Sequence, residues 1–168
     1  MADLTKALNY TLKWEGGWSD DPDDPGGATM YGITFEEARQ FGIKTKDELR
    51  NIKPEQVEAI YRAGYWRFGG LASQQAATKL FDIAVNMGLK TSVRMTQGVL
   101  NELGAALQED GCWGPKTEAC VNATEPGKLV ALLCEVSAQH YRDIVAHRPT
   151  SAKFLHGWLR RAAGVPDE

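Results

Sequence analysis

The amino-acid sequence predicts a mostly α-helical protein with at most one small β-hairpin, between Trp18 and Thr34, and a helical C-terminal lobe. Three observations lead there. Apolar residues recur three and four apart along most of the chain, as in Leu4, Leu8 and Leu12 or Ala77, Leu80, Phe81, Ala84 and Val85. Helix punctuation brackets these stretches: Thr34 with Glu37, Thr45 with Glu48, Ser73, and Pro54, Pro115 and Pro126. No segment alternates apolar and polar residues over the length of a strand, and no internal repeat is visible.

The first helix carries Leu4, Leu8, Leu12 and, at the next position of the same face, Glu15, before Gly16-Gly17 ends it. The segment Ser19 to Thr29 is too rich in Asp, Pro and Gly for regular structure, so it predicts an ordered loop returning over that helix end. Thr34 caps a short helix from Phe35 to Phe41 that Gly42 stops, and Thr45 caps a second. From Pro54, the residues Val57, Ile60, Tyr61, Gly64 and Phe68 keep helical spacing up to Gly69-Gly70. Ser73 opens the central helix, which Gly88 closes.

Beyond Leu89 the spacing of Val93, Thr96, Val99, Leu100 and Leu103 predicts another helix. Asp110-Gly111 marks a tight turn, and Gly114-Pro115 opens a helix through Cys120. The longest helix starts at Pro126 and runs to Arg148-Pro149, with His140 on its apolar face. Ser151 begins a last helix bearing Phe154, Leu155, Trp158, Leu159 and Ala162. The division expected is residues 1–88 as one lobe and 89–168 as a helical second lobe, packed together as one unit.

Glu15 is the residue that asks for an explanation. A carboxylate on an apolar face, in the last turn of a helix where unpaired carbonyls disfavour an anion, is expected to hold its proton more tightly than usual. Such an acid can protonate a glycosidic oxygen. Asp24, nine positions on, is a second carboxylate on the following loop, with the hydroxyl of Thr29 beyond it. By spacing alone, a solvated Glu and a surface turn carry more weight.

Other candidates keep two readings at this level. Tyr61, Tyr65, Trp66 and Phe68 are the densest aromatic group; Tyr61 and Phe68 read as core, whereas Tyr65 and Trp66 suit either core or a saccharide groove. Asp82 and Asn86, four apart, share a helix face and either reach into a cleft or bond each other.

Composition excludes several classes. A net charge of −3, with ten basic against thirteen acidic residues in positions 1–88, lacks the basic footprint of a nucleic-acid binder. No apolar run approaches bilayer length and no secretory signal is visible. Cys112, Cys120 and Cys134 fit no zinc-site spacing and read as small buried hydrophobes. His140, His147 and His156 contain no metal-binding pair, so no metal or organic cofactor is expected. The acidic run misses the calcium-loop pattern, because a frame starting at Asp21 puts Pro25 and Gly32 at ligand positions.

Glu15-Gly-Gly-Trp18, the run from Asp21 to Thr29 and Tyr31-Gly-Ile-Thr34 together resemble the N-terminal signature of glycoside hydrolase family 108, muramidases of the lysozyme superfamily. The resemblance implies a lysozyme-like fold, a catalytic Glu15, and hydrolysis of the β-1,4 bond between N-acetylmuramic acid and N-acetylglucosamine in bacterial peptidoglycan. Phage-type lysozymes are similar in placing an Asp nine residues after the Glu and a Thr six after the Asp; Asp24 is in register, but Thr29 falls one residue early and Met30 holds the expected place.

Phe81 to Gly88 resembles the family's second recurrent stretch, which implies that Asp82 and Asn86 position substrate, together with Tyr31, Tyr65 and Trp66 as candidate groove residues. Thr96 to Leu100 and Asp110 to Thr117 resemble the small helical peptidoglycan-binding module associated with the family, though a helical lobe that simply completes the core fits the residues as well. The expectation is a monomer that binds peptidoglycan but neither nucleic acid nor membrane. It would be made in the bacterial cytoplasm and reach the wall through a holin or another route. A non-catalytic wall-binding protein and a lytic transglycosylase using Glu15 alone are the competing readings.

Overall fold

In the computed structural model, which describes residues 1–20 and 27–167, the protein is mostly α-helical, as its sequence predicts. Among these residues lie α1 (Leu4–Thr11), the strands β1 (Thr29–Met30) and β2 (Ile33–Thr34), α2 (Phe35–Arg39), α3 (Lys46–Arg50) and α4 (Pro54–Tyr65). They are followed by α5 (Gln74–Met87), α6 (Leu89–Glu102), α7 (Pro115–Ala123), α8 (Pro126–His147) and α9 (Ala152–Ala162).

Helix α5 is central because it is apolar almost all round. Every residue from Ala76 to Ala84 is buried, so it needs partners on each side and finds them in α1, α4, α6 and α8. One of those buried residues is Lys79, 0% exposed, whose Nζ donates to the Ala162 carbonyl at 2.7 Å and the Gly164 carbonyl at 2.8 Å. An ammonium thereby satisfies carbonyls that the end of α9 leaves unpaired, and it ties that helix to the middle of the core.

Three helix ends differ from the sequence prediction. Helix α1 stops at Thr11 instead of running to Glu15; Lys13 and Trp14 donate to Tyr10 and Thr11, three residues back, so the chain tightens into turns. Helix α2 ends at Arg39, two residues short of Phe41, and Gly42 follows at φ 86°. Helix α4 ends at Tyr65 because Trp66 is extended and the Arg67 guanidinium binds the carbonyls of Ala63 and Trp66. Phe68, although outside the helix, is fully buried.

The hairpin forms where expected. Thr29 pairs with Thr34 and Met30 with Ile33, leaving Tyr31-Gly32 as a two-residue loop at φ 53° and 73°. Two consecutive positive φ values define the type I′ turn that matches strand twist. An isolated bridge between Ser19 and Thr29, with N–H···O distances of 3.0 and 2.8 Å, adds the incoming chain to that hairpin.

In the second half, the buried Gln97 amide organises the Asp110 to Thr117 loop. It donates to Asp110 Oδ1 at 2.9 Å and to the Cys112 carbonyl at 3.2 Å, and it accepts from the Gly111 N–H at 2.9 Å. Cys112 is exposed, contrary to the expectation of a buried hydrophobe, because this loop uses its backbone and not its thiol; Cys120 and Cys134 are half-buried, and all three thiols are free.

Candidate active site

Glu15 lies four residues past the end of α1, where the turns from Leu12 to Trp14 carry the chain away from the helix axis. Its side chain is 16% exposed, with one oxygen ion-paired and the other packed against the hairpin loop. Oε1 receives Arg161 Nη1 at 2.9 Å. Oε2 lies against the hairpin loop, 2.6 Å from where a side-chain carbon on Gly32 would stand. Gly32 is therefore required twice over, by its positive φ and by the carboxyl that fills its missing side chain.

Arg161 joins Glu15 to the core. It projects from α9, and its Nη2 and Nε reach Asp82 Oδ1 on α5 at 2.9 and 3.2 Å. Burial opposes the charge on this guanidinium, but the carboxylates of Asp82 and Glu15 outweigh it and raise its pKa above the ordinary value. Asp82 is 2% exposed and faces Arg161, so it acts on Glu15 through that cation. Asn86, one turn further along α5, accepts a hydrogen bond from the Tyr141 hydroxyl of α8.

Two spaces meet at Glu15. The larger is an open groove of about 630 Å³, lined by Lys13, Trp14, Glu15 and Asn86 on one side and by Phe154, Trp158 and Arg161 of α9 on the other, with Lys153 and Arg160 at its edge. Trp158 stacks on Tyr141 at 5.1 Å between ring centres, and Phe154 is 49% exposed. The smaller is a cavity of about 50 Å³ bounded by Glu15, Gly32, Glu37, Tyr61, Tyr65 and Val85, room for about one or two waters. Tyr61 donates to the Tyr31 carbonyl at 2.6 Å, which holds the strained end of the hairpin. Burial first, and the nearby Glu15 charge second, push the Tyr61 phenol up, so it stays a donor. Burial likewise raises the pKa of Glu37.

The structure brings Glu15, Tyr31, Tyr65, Asp82 and Asn86 into one neighbourhood. Trp66 packs edge-on against Phe68 and Phe81 in the aromatic core. Thr29 contributes its backbone to the bridge with Ser19. Asp24 lies outside the described residues. Reading the sequence for function missed Arg161 and Glu37. Arg161 did leave a trace, since it falls three residues after Trp158 and seven after Phe154, on the apolar stripe of α9, where a cation demands a partner. Glu37 left none, because its spacing was already explained by the cap at Thr34.

The glycosyl hydrolase 108 family model matches residues 8–88, which contain Glu15, Gly32, Glu37 and Asp82. The match makes residues 8–88, just under half of the chain, a glycosyl hydrolase family 108 segment. A second model, described as a predicted peptidoglycan domain, matches residues 91–163, so the family 108 segment and its companion meet at Gly88 between α5 and α6. The structure of Brucella abortus SagA superposes with a TM-score of 0.73 at 28% identity, covering 95% of this chain and 89% of that one. No curated protein sequence matches the chain. At family level the chain is thus a glycosidase of the peptidoglycan-directed kind, and no helix among the described residues is long and apolar enough to cross a membrane.

Proposed function

We propose that this family 108 chain is an N-acetylmuramidase that hydrolyses the β-1,4 bond between N-acetylmuramic acid and N-acetylglucosamine, with Glu15 as general acid. The observation that carries the reading is Glu15 itself: a half-buried carboxyl, fixed on one oxygen by Arg161 and fitted on the other against Gly32, in the lining of an open groove. A ligand spanning that groove meets an acid whose position is set before it arrives.

The proposed step starts from the protonated form of Glu15, not the carboxylate paired with Arg161, and gives that proton to the bridging oxygen as the bond to the anomeric carbon breaks. The electron pair leaves with that oxygen, water adds to the oxocarbenium-like centre, and the proton that water gives up passes to a carboxylate, Asp24 or the now ionised Glu15. Asp24 is the carboxylate assigned to stabilise that centre or orient the water, and Thr29 a candidate to hold the water. Arg161 and Asp82 position Glu15, while Tyr31, Tyr65 and Asn86 shape the ends of the site.

Residues 1–88 would then form the catalytic lobe and 89–168 the second lobe, working as one monomeric unit at the cell wall after export. The shared surface of α5 with α8, and of α9 with Glu15, supports that reading: an arginine from the second segment completes the site of the first. Clearing of purified cell walls is the direct test. Wild type should clear them, and Glu15→Gln should be slower by about 10³-fold, the loss of a general acid and its geometry. Clearing by Glu15→Gln at the wild-type rate refutes the assignment.

A further inference from the structure

The groove beside Glu15 is positively charged in a chain that is negative overall. Lys13 comes from the turn after α1, and Lys153 and Arg160 come from opposite ends of α9. All three are exposed, and none forms an ion pair with a carboxylate among the described residues. Two of them lie near aromatic faces: Lys13 Nζ is 5.8 Å from the Tyr10 ring centre and Lys153 Nζ is 4.9 Å from that of Phe154. Between them stand Trp14, Phe154 and Trp158, flat apolar surfaces of the kind that stack on sugar rings.

A neutral glycan would use the aromatic faces and leave three cations without function. A strand bearing carboxylates would use both. We infer that Lys13, Lys153 and Arg160 recognise the carboxylates of the peptide substituents of the glycan strand, and so make this groove selective for an anionic, peptide-bearing saccharide over a neutral amino-sugar polymer. The inference rests on the proposed muramidase reading for the path of the strand past Glu15.

The charges are at the exposed rim, where each contact is weak and salt-sensitive, so the effect must come from several acting together. Their placement on α9 gives the second segment a defined part in recognition, because it carries one wall of the groove, with two of the three cations and two of the three aromatic rings.

The test is binding to insoluble sacculi by the Glu15→Gln protein, measured by co-sedimentation in low salt. One batch of sacculi is native, and in the other the carboxylates are capped as neutral amides by carbodiimide coupling to ethanolamine. Binding to native sacculi should be about tenfold tighter than to capped sacculi, and Lys153→Gln/Arg160→Gln should remove most of that preference. Lys116→Gln/Lys128→Gln, which removes the same charge from exposed positions away from the groove, should keep it.

Equal binding to native and capped sacculi overturns the inference. So does full preference in the Lys153→Gln/Arg160→Gln protein, or an equal loss in the Lys116→Gln/Lys128→Gln protein, which would mark a non-specific charge effect. The muramidase reading fails on a separate measurement, the absence of reducing N-acetylmuramic acid ends in a wild-type digest, so the two failures are distinguishable.

Discussion

Arg161→Met isolates the contact that joins the two segments. The side chain of Arg161 is 9% exposed, and those of Asp82 and Glu15 are 3% and 16%, so this is an interior ion cluster and solvent screens it little. Methionine keeps much of the volume but removes three hydrogen bonds to Asp82, at 2.9, 3.2 and 3.4 Å, and one ion pair to Glu15 at 2.9 Å. Removing one member of a buried pair leaves the other uncompensated and costs about 3–5 kcal/mol. For a chain of this size that is a fall in Tm of roughly 6–20 °C. Urea unfolding measures it directly. Asp82→Leu added to Arg161→Met should recover part of the loss, because it removes the orphaned charge, and the double-variant cycle should show coupling above about 1 kcal/mol. A loss below about 1 kcal/mol for Arg161→Met, with additive behaviour in the cycle, would refute a structural role for the cluster.

Gly32→Ala should lower stability by about 1–2 kcal/mol through its positive φ and lower kcat by about 100-fold, because the added carbon displaces the Glu15 carboxyl; initial rates on cell walls and thermal melts read both. Gln97→Leu should cost about 1–3 kcal/mol, since the Gly111 N–H and the Cys112 carbonyl lose their buried partner, and chemical denaturation measures the change. Glu37→Gln tests the small cavity by pH. Burial raises the Glu37 pKa, so folding favours its protonated form and the wild type loses that contribution as pH climbs through the raised value. The Tm difference between Glu37→Gln and wild type should therefore move in favour of the variant between about pH 3.5 and about pH 7.

Most of the helical architecture was legible because caps and apolar periodicity agree along the chain. Thr45 with Glu48 forms the reciprocal capping box, Ser73 opens α5 and Gly88 closes it, as their positions predict. What misled was the assumption that a spacing persists until a glycine stops it. Helix α1 gives way to turns at Leu12, although Glu15 keeps helical register with Leu4 and Leu8, and α4 ends at Tyr65, although Phe68 keeps register with Tyr61. In both cases tertiary burial of the side chain continues after the backbone has left the helix.

At the site, local signals pointed to Glu15 and to the Tyr31-Gly32 loop. Long-range partners left a weaker mark. The chain separates Arg161 from Asp82 by 79 positions, and nothing in the spacing of either says that they meet. An arginine on an apolar stripe signals that a partner exists; only the packing of α9 against α8, with its end tied to α5 by the buried Lys79, says which one.

Mass spectrometry of the borohydride-reduced products from digested peptidoglycan tests the central claim most directly. The account predicts muropeptides ending in reduced N-acetylmuramic acid from the wild type and none above background from Glu15→Gln. Products ending in an anhydro sugar, reduced N-acetylglucosamine ends, or equal release by the Glu15→Gln protein would contradict it.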